Sequence, residues 1–375
     1  MTQQRYQLVE TDSAWQVCLQ DLQQHSRLAV DLESNSMYAY RERVCLIQIS
    51  TPDTDYIIDP LGDFDLGGLR PLMESPEVEK VFHAAEYDLM LLLRDFGWSL
   101  QNLFDTMWAV RILGQKRVGL ANVLEKYYDV KLDKKFQRSN WCQRPLQEEA
   151  LRYAQLDTHY LLRLRDDLAR ELQAQGHWEE AQESFAAQCD VKLPDLSFSR
   201  DDFWSMNGAQ NLSPESKAVL QALTIFRNDE AQRRDRPPFK ILGDRTLLAL
   251  AEIRPHYNDE LHDINGLSYR LVRRYGRRLI SLIRQAEQQP PPRRPKRGPR
   301  TPDDVIERYE ALHQWRKLRA RARGVESDVI VSRDELWQIA HLNPADVEAL
   351  AGAGVLRPWR LRTYGAEIIA ALRSE

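Results

Sequence analysis

The chain has 375 residues, 43% hydrophobic and 29% charged, with a net charge of −4. That is enough apolar material for two or three cored domains, so a wholly disordered chain is excluded. No apolar run reaches the roughly 18–20 residues of a membrane span and no apolar secretion segment follows Met1, so neither a membrane role nor export is expected.

In chain order, Leu28-Ala29-Val30-Asp31-Leu32-Glu33 reads as a strand. Val44 to Ile49 and Tyr56 to Ile58 read as two more, joined by the turn Thr51-Pro52-Asp53-Thr54. Val81-Phe82-His83 is a short strand before a helix from Glu86 to Phe96, and helices over 106–114, 118–128 and 147–173 follow. Three early strands and then alternating strand and helix imply a mixed β-sheet with helices packed on it. Val191-Lys192-Leu193-Pro194-Asp195 marks a soft boundary after this region.

Beyond residue 210 the chain repeats itself at an offset of 89 residues. Phe226-Arg227 falls on Trp315-Arg316, Ile241 on Ile330, Leu247 on Leu336, Pro255 on Pro344 and Tyr275-Gly276 on Tyr364-Gly365. Ungapped identities of this kind indicate a duplicated unit of short helices. In the first copy Asp244 is the expected N-cap of the helix carrying Leu247 and Leu250. The copies are separated by the proline-rich, basic stretch from Pro290 to Arg300, which reads as a stiff linker. The expected domains are therefore 1–195, 210–290 and 302–375. Their charges differ: residues 1–200 hold 22 Lys and Arg against 32 Asp and Glu, and residues 201–375 hold 30 against 24. The basic half suits either polyanion contact or ordinary solvation. Cys18, Cys45, Cys142 and Cys189 have neither metal nor disulfide spacing, and a reducing cytoplasm is the expected location.

Four carboxylates stand out. Side chains of a strand alternate faces, so Asp31 and Glu33 share one side, a pattern that also suits a half-solvated strand. In the last helix Ala150, Ala154, Asp157, Leu161, Leu164 and Leu168 form a core-facing stripe with Asp157 in its middle, and Tyr153 lies one turn before it. Asp88 sits near the start of the 86–96 helix, where a macrodipole role is also open. Carboxylates converging without a basic partner raise one another's pKa, and divalent cations relieve the repulsion. Such hard oxygen ligands suit Mg²⁺ or Mn²⁺, and two ions would clamp the attacking and leaving oxygens of a phosphodiester.

These residues carry a resemblance. Asp31-Leu32-Glu33, then His83-Ala84-Ala85-Glu86-Tyr87-Asp88-Leu89, then Tyr153-Ala154-Gln155-Leu156-Asp157 resemble the three motifs of the DEDD exonucleases, in the tyrosine-bearing subgroup. Phe104-Asp105-Thr106 and Trp141-Cys142-Gln143-Arg144-Pro145-Leu146 resemble segments of the ribonuclease D family, and the helical repeats resemble HRDC domains. The family's Asp-Thr-Glu-Phe stands here as Asp31-Leu32-Glu33-Ser34, a departure that touches the wedging of the terminal base and leaves the ligands intact.

The resemblance implies an RNase H-like α/β exonuclease domain followed by two small all-α HRDC domains. It implies removal of nucleotides from RNA 3′ ends with two divalent ions, Mg²⁺ or Mn²⁺, on tRNA precursors; the oligomeric state stays open, with a monomer favoured. Asp31, Glu33 and Asp157 would hold one ion, Asp31 and Asp88 the other, and Tyr153 would orient the water. His83 reads as a packed structural residue and Asp105-Thr106 as a helix cap. Lys134, Lys135 and Arg138, interleaved with Phe136, suit a phosphate and a stacked base, or a solvated loop. Arg273, Arg274 and Arg277 are expected backbone contacts, along with Arg278. A DNA 3′–5′ exonuclease and a non-catalytic RNA-binding scaffold are the alternatives.

Overall fold

The computed structural model describes residues 6–133, 135–295 and 300–373. Lys134 and the linker residues Lys296 to Pro299 lie outside the described residues. The elements of the first part are β1 (Gln7–Val9), α1 (Asp12–Leu22), β2 (Arg27–Ser34), β3 (Val44–Ser50), β4 (Asp55–Ile58), α2 (Arg70–Glu74), β5 (Glu79–Phe82), α3 (Glu86–Phe96), β6 (Leu103–Asp105), α4 (Thr106–Ile112), α5 (Leu120–Tyr128), α6 (Glu148–His159), α7 (Leu161–Ala174) and α8 (Trp178–Gln188). The six strands form one sheet in the order β1-β4-β3-β2-β5-β6. The β2–β3 and β3–β4 pairs are antiparallel, and β1–β4, β2–β5 and β5–β6 are parallel. The expected mixed sheet with helices on it is therefore the observed one.

Every residue of β3 is buried, because both sheet faces are covered. Val44, Ile47 and Ile49 join the large cluster that also takes in Leu28, Val30 and Leu164. Cys45, Leu46 and Ile57 face a separate cluster with Trp141, Ala150, Leu151 and Ala154. This division explains one departure from expectation. The helix expected over 147–173 is two helices broken at Tyr160, since Ala150 and Ala154 bury in one cluster and Leu161, Leu164 and Leu168 in the other.

A second correction concerns the cysteines. Cys45 and Cys142 are joined in a disulfide, 97 residues apart in sequence, while Cys18 and Cys189 are free. Sequence spacing could not show this, because the pairing is made by the loop before α6 returning over β3. The cysteine pattern thus carries no argument for a reducing compartment.

The later elements are α9 (Pro214–Arg233), α10 (Pro238–Ile241), α11 (Asp244–Ile253), α12 (Tyr269–Glu287), α13 (Asp303–Arg323), α14 (Ser327–Ile330), α15 (Arg333–Leu342), α16 (Val347–Gly352) and α17 (Pro358–Arg373). The cap of α11 is Gly243, not Asp244. Asp244 is the first helical residue and pairs with Arg227 at 2.5 Å. No helix among the described residues is long and apolar enough to cross a membrane.

The chain forms two compact units. Residues 194–295 together with 35–43 make one, around a cluster that includes Leu220, Leu247, Leu261 and Leu279. The other joins the described residues of 6–34 and 44–193 with 300–373. Within it the second helical repeat docks on α8 through ion pairs. Arg323 donates to both oxygens of the fully buried Glu180 at 2.6 and 2.7 Å. Arg360 reaches Glu183 at 3.0 Å, and the Trp359 N–H donates to the same carboxylate at 2.6 Å. Val329, fully buried, completes the large apolar cluster of the sheet.

Replacing one partner of a buried pair strands the other charge, at a cost of about 3–5 kcal/mol. Arg323→Met should therefore lower the thermal midpoint sharply, and Arg323→Met with Glu180→Met should recover most of the loss. Calorimetry of the two variants checks this.

Candidate active site

The site begins on β2, where alternation sends Leu28, Val30 and Leu32 into the core and leaves Asp31 and Glu33 together on the other face. A register irregularity follows Glu33, where the pairing passes from Leu46 to Val44. Asp88 stands in the first turn of α3 and is buried. Asp157 and Tyr153 come from α6.

The three carboxylates of Asp31, Glu33 and Asp157 each place an oxygen within 4.8 Å of the others. Among the described residues no Lys, Arg or His pairs with them or with Asp88. Burial pushes the Asp31 carboxyl up to about 7. Burial, and then the charges of Asp31, Asp157 and Asp88, push Glu33 up. Asp88 is raised by burial, then by Asp31, Asp105 and Asp157. Asp157 is raised by burial and Asp31. Tyr153 is raised by burial and by Asp157, Glu33 and Asp31, so its hydroxyl keeps its proton. A convergent set of hard oxygen donors with no counter-charge fits a divalent cation of the Mg²⁺ or Mn²⁺ class.

Polar devices, only some of which the sequence singles out, hold these residues in place. Asp105 does cap α4, accepting from the Met107 and Trp108 amides at 2.8 and 3.2 Å. It also accepts from the Ala84 and Ala85 amides at 3.1 and 2.8 Å. Ala84 adopts a left-handed backbone (φ 67°), so the Asp105 carboxylate fixes the tight turn that launches α3 and with it Asp88. His83, beside it, lies 2.9 Å from the Thr106 hydroxyl, and burial pushes its imidazole down to about 4, as suits a packed, neutral residue.

The back of α6 is tied to the β3–β4 hairpin through Asp55. Gln155 and His159 reach one Asp55 oxygen at 2.7 and 2.8 Å, and Ser50 donates to the other at 2.6 Å. Burial alone would raise Asp55, but these hydrogen bonds outweigh it and hold the carboxyl below its ordinary value. Beside Tyr153 lie the buried Trp141 and the half-buried Phe136, with ring centroids 6.0 and 6.3 Å away. Their loop is pinned by the Cys45–Cys142 bond and by Arg144, which grips both oxygens of Asp59 at 2.5 and 2.7 Å and donates to the Trp141 carbonyl at 2.6 Å.

Of the expected nucleic-acid contacts, Lys135 is exposed beside Phe136, its Nζ 5.3 Å from the ring centroid, and Arg138 is exposed on the same loop. Arg273 and Arg277 are exposed on α12, while Arg274 lines a cleft with Arg234, Arg270 and Tyr275.

A carboxyl whose pKa is raised by folding favours the native state below the unfolded value of about 4, and that contribution is lost as pH climbs through the folded value. For Asp31 the window ends at about 7. Metal-free protein should therefore melt lower at pH 8 than at pH 5.5. Asp157→Asn, which removes one repelling charge, should raise the pH 8 midpoint, and added Mg²⁺ should raise that of the parent protein. A variant that melts lower than the parent at pH 8 in EDTA would contradict the repulsion described above.

Comparison with known proteins identifies the family. Residues 6–173 match the 3′–5′ exonuclease family model, and residues 216–283 and 306–372 each match the HRDC domain model. The chain is 30% identical to the ribonuclease D of Pseudomonas paraeruginosa over 92% of both chains. It is 32% identical to Protein RRP6-like 1 of Arabidopsis thaliana over 71% of its length, and spans less than half (44%) of that longer relative. The crystal structure of Escherichia coli RNase D, an exoribonuclease involved in structured RNA processing, superposes with a TM-score of 0.68 over 98% of this chain and 99% of that one, at 24% identity, a likeness of fold. The chain belongs to the ribonuclease D family of 3′–5′ exoribonucleases.

Proposed function

We propose that this protein removes nucleotides one at a time from RNA 3′ ends, with precursors of tRNA as its substrates. The observation that carries the reading is the meeting of Asp31, Glu33 and Asp157 within 4.8 Å, unpaired by any cation among the described residues, beside a tyrosine one helical turn away. Asp31, Glu33 and Asp157 would hold one divalent ion, and Asp31 with Asp88 a second. Such ions, when bound, acidify water and offset the charge that builds on the phosphodiester.

The chain's own residues do the rest. The Tyr153 hydroxyl, one helical turn from Asp157, would orient the attacking water. Trp141 and Phe136 flank Tyr153 and restrict its motion. The turn fixed by Asp105 keeps Asp88 facing the same volume. The proposed domains are the nuclease over 1–195 and two HRDC units over 210–290 and 302–375.

Asp31→Asn and Asp157→Asn should lose hydrolysis of RNA in Mg²⁺ or Mn²⁺ while remaining folded. Tyr153→Phe keeps the ring packing and loses the hydroxyl, so its rate should fall on the order of 10²-fold with RNA affinity little changed. Matched RNA and DNA oligonucleotides, with Mg²⁺, Mn²⁺ or EDTA, separate the RNA from the DNA activity. Near-parental turnover by either Asn variant would sink the assignment.

A further inference from the structure

The two helical units correspond element by element at the offset of 89. α10 maps onto α14 and α11 onto α15 without a residue of slippage, α12 and α17 start in register, and the left-handed residues Asp235 and Arg254 fall on Gly324 and Asn343. Equivalent faces can therefore be compared residue by residue. In the second unit, one face is spent on the nuclease: Arg323 on Glu180, the Trp359 amide on Glu183, Val325 and Val329 against the large apolar cluster. The same positions in the first unit are Arg234, Arg270, Arg236 and Lys240, and Thr363 is matched by Arg274.

These five cations line an open cleft of about 580 Å³ together with Ile241, Leu271 and Tyr275. Of the carboxylates nearby, two are engaged, and the exposed Asp229 lines an adjoining cleft with Arg234 and Arg274. Glu230 takes Arg233, Arg234 and the Tyr275 hydroxyl, and Asp235 accepts the Tyr40 amide at 2.9 Å. Arg236, Lys240 and Arg270 are exposed and have no ion pair among the described residues. At the rim, Lys240 Nζ lies 4.0 Å from the ring centroid of Tyr38, on the segment 35–43 that packs within this unit. Cations without counter-charges beside an aromatic ring are what a nucleic-acid backbone with a stackable base requires.

We propose that this cleft of the first helical unit binds the phosphodiester backbone of the RNA substrate, with Tyr38 as a stacking surface, while the second unit braces the nuclease and takes no part in RNA binding. The proposal rests on the exoribonuclease reading. It assigns the attraction expected of the whole basic half to one copy of the duplicated unit.

The test uses the full chain in EDTA, so that binding is read without hydrolysis. The probe is a tRNA-sized structured RNA, and affinity is measured over a salt series. Arg236→Gln/Lys240→Gln/Arg270→Gln should bind about 10- to 100-fold more weakly at physiological salt, with a log–log salt slope shallower by about 2–3. Removing the same number of charges from the second unit, as Lys317→Gln/Arg321→Gln/Arg333→Gln, should change neither. Arg270→Glu should weaken binding further than Arg270→Gln, and melting curves establish that each variant is folded. Equal affinity and slope for the cleft variant, or equal losses from both triples, would overturn the proposal. So would intact RNA binding with lost binding of polyglutamate, which would make the cleft a dock for an acidic protein. Cleavage of RNA by the parent protein in Mg²⁺ is scored separately, and its absence would overturn the enzymatic reading instead.

Discussion

Four carboxylates cannot share a small, partly buried volume unless the surrounding structure holds each against the repulsion of the rest. That constraint organises the nuclease domain. β2 supplies two of the four by alternation alone, but α3 and α6 reach the site only because other polar groups anchor them. Asp105 accepts four backbone amides and so fixes the turn before α3. Asp55 gathers Ser50, Gln155 and His159 and so fixes α6. Both are fully hydrogen-bonded carboxylates, in contrast to the four at the site.

The framework groups were hard to read in the sequence, for physical reasons. A strand face and a helical stripe show themselves by period, so β2, β3, β4 and α3 were legible, as were Asp31, Glu33, Asp88, Tyr153 and Asp157. β6 has three residues, too few for any period. α8 buries Glu180 and Ser184 beside Ala181 and Phe185, so its inward face does not look apolar. The Cys45–Cys142 link and the Arg144–Asp59 grip join positions far apart in sequence, and no local pattern announces such pairs. The unbroken helix expected over 147–173 had the right stripe, but its halves serve different clusters.

The duplication shows how one fold comes to have two uses. Both copies keep the buried positions that build the unit, such as Ile241 and Ile330 or Tyr275 and Tyr364. They differ on the face that the second copy turns to the nuclease. Where the first copy presents charge to solvent, the second presents valines and an arginine already committed to Glu180. The same backbone thus yields an open surface in one copy and an internal joint in the other.

That joint also gives the protein a timetable. Glu180 and Glu183 are made well before Arg323 and Arg360, and Val329 is likewise late. At about 5–20 residues per second, a ribosome needs roughly 7–35 s to add the stretch between them. Through that interval the nascent nuclease domain has all of its carboxylates, an incomplete core and two acidic side chains without their partners. A growing chain still near other RNA is therefore held short of its finished structure until the last helices emerge.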